Sequence, residues 1–188
     1  MYVYTGRGFS ADAWFASMKQ GHTFVTNGPM LTLAVDGAIP GDELKTARSA
    51  IVRIRARAWA PASIGSPKSL EVVAHGEVIR SAQSHDPDKS ELEIEFDIQV
   101  DTSQWIAARV EAQNGALAHT SPVYVVVEGE SFRNKKELPR LVEKRLRLID
   151  FILGRLHDPK YVATFEQGEV DALTDEIEEA RARYKRLL

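Results

Sequence analysis

"IVRIRARAWA", residues 51–60, alternates Val52, Ile54, Ala56 and Ala58 with Arg53, Arg55 and Arg57. A period of two sends the apolar side chains to one face and the guanidiniums to the other, as a half-buried antiparallel strand requires. "ELEIEFDIQV", residues 91–100, repeats the pattern with the opposite charge: Leu92, Ile94, Phe96, Ile98 and Val100 face inward, and Glu91, Glu93, Glu95 and Asp97 face outward. If these strands are neighbours, each arginine meets a carboxylate, whereas a like-charged neighbour would be penalised. The sequence therefore predicts that 51–59 pairs with 91–100.

The segments around this pair carry the same period. "LEVVAHGEVIRSA", residues 70–82, is two strand runs joined by His75-Gly76, a tight-hairpin signal. "TFVT" (23–26) and "MLTLAV" (30–35) precede the arginine strand, and Asp36-Gly37 with "AIPGDEL" is turn chemistry. "WIAARVEAQ" (105–113) and "SPVYVVVEG" (121–129) follow the acidic strand, linked by "NGALAHT". Roughly seven strands at this spacing predict a mainly β fold, an immunoglobulin-like antiparallel β-sandwich in which the second and fifth strands are neighbours.

Helices are expected at both ends. "SADAWFASMKQG" offers Ser10 as a cap, Asp12 in the first turn and Gly21 as a stop. Trp14 and Met18 share a face, with Phe15 beside them, a heavy apolar load that needs a partner surface. Past Gly129, "LPRLVEKRLRLIDFILGRL" (138–156) has helical spacing, with Pro139 tolerable in its first turn. "HDPKYVATFEQG" redirects the chain into "EVDALTDEIEEARARYKRLL", whose Leu173, Ile177, Ala180 and Tyr184 form one stripe, with acids early and bases late. A C-terminal helical hairpin follows, making the whole α+β.

Composition narrows the chemistry. The 188 residues suffice for one good core, which at this size buries roughly 70% of the unfolded surface. The absence of cysteine excludes disulfides, thiolate catalysis and cysteine-based zinc sites. A net charge of -3, from 24 basic and 27 acidic residues, offers no general attraction to nucleic acid or an anionic membrane. No window approaches about eighteen uninterrupted apolar residues, and "MYVYTGRGFS" does not show the regions of a signal peptide. Neither nucleic acid nor membrane is an expected partner.

The five histidines, His22, His75, His85, His119 and His157, form no HxH, HExxH or DxH arrangement. Turn and loop roles suit His75, His85 and His157. His119-Thr120-Ser121 suggests a base beside a hydroxyl but has no glycine elbow. The acids of "PGDEL" and "HDPDKS" lack calcium-loop spacing. Gly6-Arg7-Gly8 before a helix is a weak anion-site signal, and the tail's basic residues, in "EKRLRL" and "RARYKRLL", are interspersed with the acids of the tail and read as a solvated helix face. No catalytic, cofactor-binding or metal-ligating residue is assigned.

The run "DAWFASMKQGHTFVTNGPMLTLAVDGAIPGDEL", with "LEVVAHGEVIR" and "WIAARVEAQNGALAHTSPVYV", resembles the carboxy-terminal part of bacterial CehA/McbA-type metallohydrolases of the polymerase-and-histidinol-phosphatase (PHP) superfamily. The similarity covers about residues 2 to 156, and "G-x-T-F-V-T-N-G-P" at 21–29 is its most specific element. Membership implies a barrel-like catalytic domain whose His and Asp cluster binds divalent metals and hydrolyses a phosphoester or related ester. Those ligands lie upstream of the matching part, so none is carried over. The resemblance implies that this chain follows the catalytic barrel: 1–28 is a remnant of that domain, 29–130 the sandwich and 131–188 the helical hairpin. Asn27-Gly28-Pro29 would then bend from barrel to sandwich, with Thr26 and Asn27 as candidate cleft-lining residues in the intact protein.

The expected function is thus a non-catalytic accessory domain of a PHP-type metal-dependent hydrolase, contributing stability, cleft walls or oligomer contacts. Its partners are the upstream catalytic domain and, through the C-terminal helices, further copies of itself. Divalent metals belong to the catalytic domain alone. An extracytoplasmic bacterial location follows only by analogy. Two alternatives stand beside this reading: a carbohydrate- or peptide-binding sandwich using exposed Trp59 or Trp105, and an autonomous metal-dependent hydrolase built from His22, His119 and nearby acids.

Overall fold

A computed structural model describes all residues except Arg7, Ser131 and 133–136; Arg7 of the candidate anion loop and the start of the expected helical segment therefore lie outside the described residues. The chain divides into two compact units, Met1–Phe132 and Arg133–Leu188.

The first unit is an immunoglobulin-like antiparallel β-sandwich. Its smaller sheet has the order β3 (Met30–Val35), β5 (Ala50–Trp59), β8 (Glu91–Val100). The arginine strand lies beside the acidic strand from Ala50↔Val100 to Trp59↔Glu91, with Arg53 opposite Asp97, Arg55 opposite Glu95 and Arg57 opposite Glu93. Arg53 forks onto Asp97, with Nε at 3.0 Å and a terminal nitrogen at 3.4 Å. Arg55 donates to Glu95 at 3.0 Å, and Arg57 reaches diagonally to Glu91 at 2.7 Å while passing Glu93 at 3.3 Å. The alternating pattern places this ladder on the solvent side while Val52, Ile54, Ala56 and Ala58 enter the core.

The larger sheet is built around β9 (Gln104–Ala112). One edge of β9 pairs with β6 (Pro67–Ala74), which turns through His75-Gly76 into β7 (Glu77–Gln83). The other edge is shared by β10 (Leu117–Thr120) and β11 (Val123–Val127), two halves of one strand interrupted at Ser121-Pro122. β2 (Thr23–Thr26) extends the sheet beyond β10, and β1 (Tyr2–Val3) beyond β2. β4 (Glu43–Thr46) runs parallel to β11. Residues 1–28 are thus joined to the sandwich by strand pairing. Two elements correct the sequence reading: β4 falls where turn chemistry was expected, and β10 falls in the expected linker. Leu31, Leu33, Ile54, Leu70, Ile106 and Val123 are among the side chains that fill the interior between the sheets.

Helix α1 (Ala11–Gln20) begins where Ser10 Oγ accepts the Ala13 N–H at 3.1 Å, and it ends where the Gly21 and His22 N–H groups donate to the Met18 and Ser17 carbonyls. None of its residues is buried, and Phe15 keeps 52% of its surface exposed. Trp14 and Met18 are half-buried while Phe15 stays open, and the helix lies against β1, so its apolar load is covered only in part.

The second unit contains α2 (Leu138–Leu156), the short α3 (Pro159–Val162) and α4 (Gln167–Lys185). Val142, Ile149 and Leu153 of α2 are buried with Val170 of α4, and Arg181 bonds Asp150 at 2.9 Å. Asp158 caps α3, and Glu166 with Glu169 forms a capping box at α4. Among the described residues no helix is long and apolar enough to cross a membrane.

Candidate functional site

The most specific sequence element, residues 21–29, carries the chain from the large sheet into the small one. Thr26 Oγ1 accepts the Gly28 N–H at 2.8 Å and donates to the Pro29 carbonyl at 2.6 Å. Asn27 clamps β10: its Oδ1 accepts the Leu117 N–H at 2.6 Å, and its own N–H donates to the Leu117 carbonyl at 3.1 Å. Gly28 is required by close approach, since a Cβ there would stand 2.7 Å from the Ala116 Cβ. Thr26 and Asn27 line neither of the two clefts described below; their polar atoms hold the crossover between sheets.

A second latch fixes α1. His22 Nε2 donates to Asp42 Oδ1 at 3.0 Å, and Asp42 Oδ2 accepts the Ile39 N–H at 2.9 Å. Gly41, at φ +98°, presses on the helix end so closely that a Cβ would meet the Gln20 carbonyl oxygen at 2.3 Å. The Gly41 N–H donates to the Pro122 carbonyl at 2.8 Å, tying the latch to the break between β10 and β11.

The remaining histidines are dispersed. His75 Nε2 lies 3.1 Å from the Ser103 carbonyl, His157 Nδ1 lies 2.7 Å from the Leu153 carbonyl, and His85 is exposed in its loop. His119 sits in register between Val25 and Arg109. Neighbouring hydroxyls serve the backbone and one another: Thr120 Oγ1 accepts the buried Ala108 N–H at 3.0 Å, and Ser121 Oγ bonds Thr23 Oγ1 at 2.8 Å. Among the described residues no three His, Asp or Glu side chains gather where they could hold a metal ion.

Two concavities open on the sandwich. One, of about 620 Å³, runs beside β3 and is lined by Tyr2, Tyr4, Phe24, Met30, Arg57 and Trp59 among others. Tyr2 stacks on Phe24 at 5.1 Å, and the Arg57 guanidinium covers the half-buried Trp59 ring at 5.2 Å. The other, a shallow dish of about 700 Å³, lies on the outer face of the large sheet, with Trp105, Arg109, His119 and Tyr124 around Ala107. Trp105 is half-buried, with His75 edge-on at 6.1 Å. Sequence reasoning singled out Trp105 and His119 separately, but only the pairing of β9 with both β10 and β11 brings them to one surface.

The sharpest electrostatic effects lie on the small sheet and its end. The Arg57 hydrogen bond lowers the Glu91 pKa, that of Arg53 lowers Asp97, and Ser49 with Gln99 lowers Asp101. Arg53 and Arg57 are raised in turn, chiefly by their bonds to Asp97 and Glu91. These shifts belong to the charge ladder rather than to a proton-transfer centre.

No protein-family model matches the chain, and no curated protein sequence does. Among solved structures it is similar to the fibronectin(III)-like modules of CbhA from Clostridium thermocellum, at 14% identity and TM-score 0.34 over 50% of this chain and 93% of that one. It is also similar to a CARDB domain from Pyrococcus furiosus (19%, TM-score 0.36, 53% and 96%) and to superoxide reductase (neelaredoxin) from Ignicoccus hospitalis (12%, TM-score 0.32, 53% and 81%). The sandwich fold of this chain follows from its own strand order and register.

Proposed function

We propose that this chain serves as a non-catalytic accessory β-sandwich of a PHP-type metal-dependent hydrolase, seated against that enzyme's catalytic domain through α1 and β1. The observation that carries this reading is a helix latched at its end, with large aromatic side chains left exposed on it and just ahead of it. Gly21, Gly41 and the His22–Asp42 bond fix α1, yet Phe15 is 52% exposed, Tyr4 61% and Phe9 80%. Exposed aromatic side chains on and just ahead of a helix latched at its end suit an interface more than open solvent. The resemblance of residues 21–29 to the stretch following the PHP barrel supplies the partner's identity.

In this role the chain's own residues position and do not react. The Thr26 and Asn27 bonds set the path from α1 and β2 into the sandwich, and the latch at Asp42 sets the angle of α1. A metal-binding partner domain would supply the hydrolytic chemistry. The helical unit would add contacts between copies: Leu141, Leu148 and Ile152 recur at seven and four residues on α2, all exposed, beside the stripe already covered by α4. α2 is rich in Arg and Lys while the first half of α4 holds only acids, so two hairpins offer each other opposite charge.

The test joins the chain to the polypeptide encoded in frame ahead of Met1 and compares hydrogen exchange of α1 in the joined and separate forms. The expected result is an upstream segment bearing HxH and DxH motifs, with α1 amides protected only in the joined form. Equal exchange in both, or an upstream segment without such motifs, overturns the assignment.

A further inference from the structure

The dish on the outer face of the large sheet is a built surface that the accessory role does not use. β9 sends Trp105, Ala107 and Arg109 outward in succession. Trp105 and Arg109 are four residues apart, so their Cα atoms stand about 13 Å apart along the strand. Ala107 leaves a low floor between them. The neighbouring strand repeats the arrangement, with Tyr124 opposite Trp105 and His119 opposite Arg109, and the interrupted residues Ser121 and Pro122 between. One wall is thus aromatic and the other carries polar nitrogens.

Both rings of the aromatic wall are fixed from outside. His75 meets Trp105 edge-on, and Phe132 meets Tyr124 edge-on at 5.7 Å. The Trp105 indole N–H, the Tyr124 hydroxyl and the His119 ring nitrogens have no hydrogen-bond partner among the described residues, whereas Arg109 is already bonded to Glu71 at 2.5 Å. The dish therefore offers apolar ring surface and unused donors and acceptors, with the Arg109 guanidinium paired to Glu71. β9 is paired along both edges, so a peptide cannot add to it as a strand.

We propose that this dish binds a neutral oligosaccharide: a pyranose ring packs its C–H face on Trp105 and Tyr124, and its hydroxyls bond to the indole N–H, the phenol and His119. A sugar ring presents both an apolar face and a rim of hydroxyls, the pairing these walls match. The inference stands apart from the accessory role and survives if that role fails.

The experiment titrates the full chain with cellopentaose, xylopentaose, mannopentaose and laminaripentaose, reading tryptophan fluorescence and calorimetry. Binding of at least one of them with a roughly millimolar or tighter Kd is expected, weakened at least about tenfold by Trp105→Ala. Ala107→Leu, which raises the floor and leaves every ring in place, should weaken it comparably, so the test survives if Trp105→Ala fails to fold. Trp59→Phe, in the other cleft, should leave binding unchanged. Silence toward the whole panel, binding indifferent to Ala107→Leu, equal loss in Trp59→Phe, or binding of tryptic casein peptides in place of sugars overturns the proposal.

Discussion

Thr120 shows how one side chain repairs a break that another residue makes. Pro122 has no N–H and cannot continue the ladder, so the strand splits, and the Thr120 hydroxyl supplies the acceptor for the buried Ala108 N–H at 3.0 Å. Thr120→Val keeps the shape and removes that acceptor, so it should cost about 1–3 kcal/mol in a denaturant titration, while Thr120→Ser should restore most of it. Gly41 makes a steric rather than a polar demand. A methyl group there meets the Gln20 carbonyl oxygen at 2.3 Å, in a backbone conformation that already disfavours a side chain. Gly41→Ala should therefore lose more than about 1 kcal/mol. The same variant should raise proteolytic cleavage within α1, because the latch holding the helix end is what it disturbs.

At the scale of elements, the long strands and the four-residue β2 were legible, whereas the equally short β4 and β10 were not. β5 and β8 run ten residues each, enough for alternation and charge to specify both partner and register. β4 and β10 have four residues each, flanked by Gly, Pro and Asn, and four residues cannot separate a strand from a turn by periodicity. The bend at 27–29 was legible from its Gly and Pro. The role of Thr26 was not, because its hydroxyl closes a local bond with Pro29 that no pattern announces. The dish was illegible as a site, since Trp105 and His119 become neighbours only through pairing between separate strands. The ladder itself makes a pH prediction. Glu91, Asp97 and Asp101 have lowered folded-state pKa values, against ordinary values of 4.5 for Glu91 and 3.8 for the aspartates. Their contribution is complete above those ordinary values and drains away as pH falls through the lower folded-state values. Stability measured by urea should thus fall on acidification below about pH 4, and Arg53→Gln with Arg57→Gln should flatten that fall. Salt should weaken the same contribution, since the ladder lies on the solvent face with most of its partners exposed. An unchanged acid slope in the double variant would contradict the assignment.

At the scale of the molecule, each unit leaves apolar side chains open: Phe15 of α1 with Tyr4 and Phe9 in the first, and the Leu141, Leu148, Ile152 stripe of α2 in the second. The stripe gives a direct expectation. Light scattering should show a concentration-dependent oligomer, and Leu148→Glu should shift it to monomer without loss of helicity. A monomer at all concentrations would remove the helical unit from the oligomer account. The exposed aromatic side chains and the dispersed histidines bear on the central claim, that reactivity resides in a partner domain and that this chain positions it. Hydrolysis of bis(4-nitrophenyl) phosphate by the purified chain in added manganese, with bound metal counted on the same sample, tests it most directly. The account predicts no turnover above the metal alone and no stoichiometric manganese. Turnover that copurifies with a stoichiometric ion on this chain would contradict it.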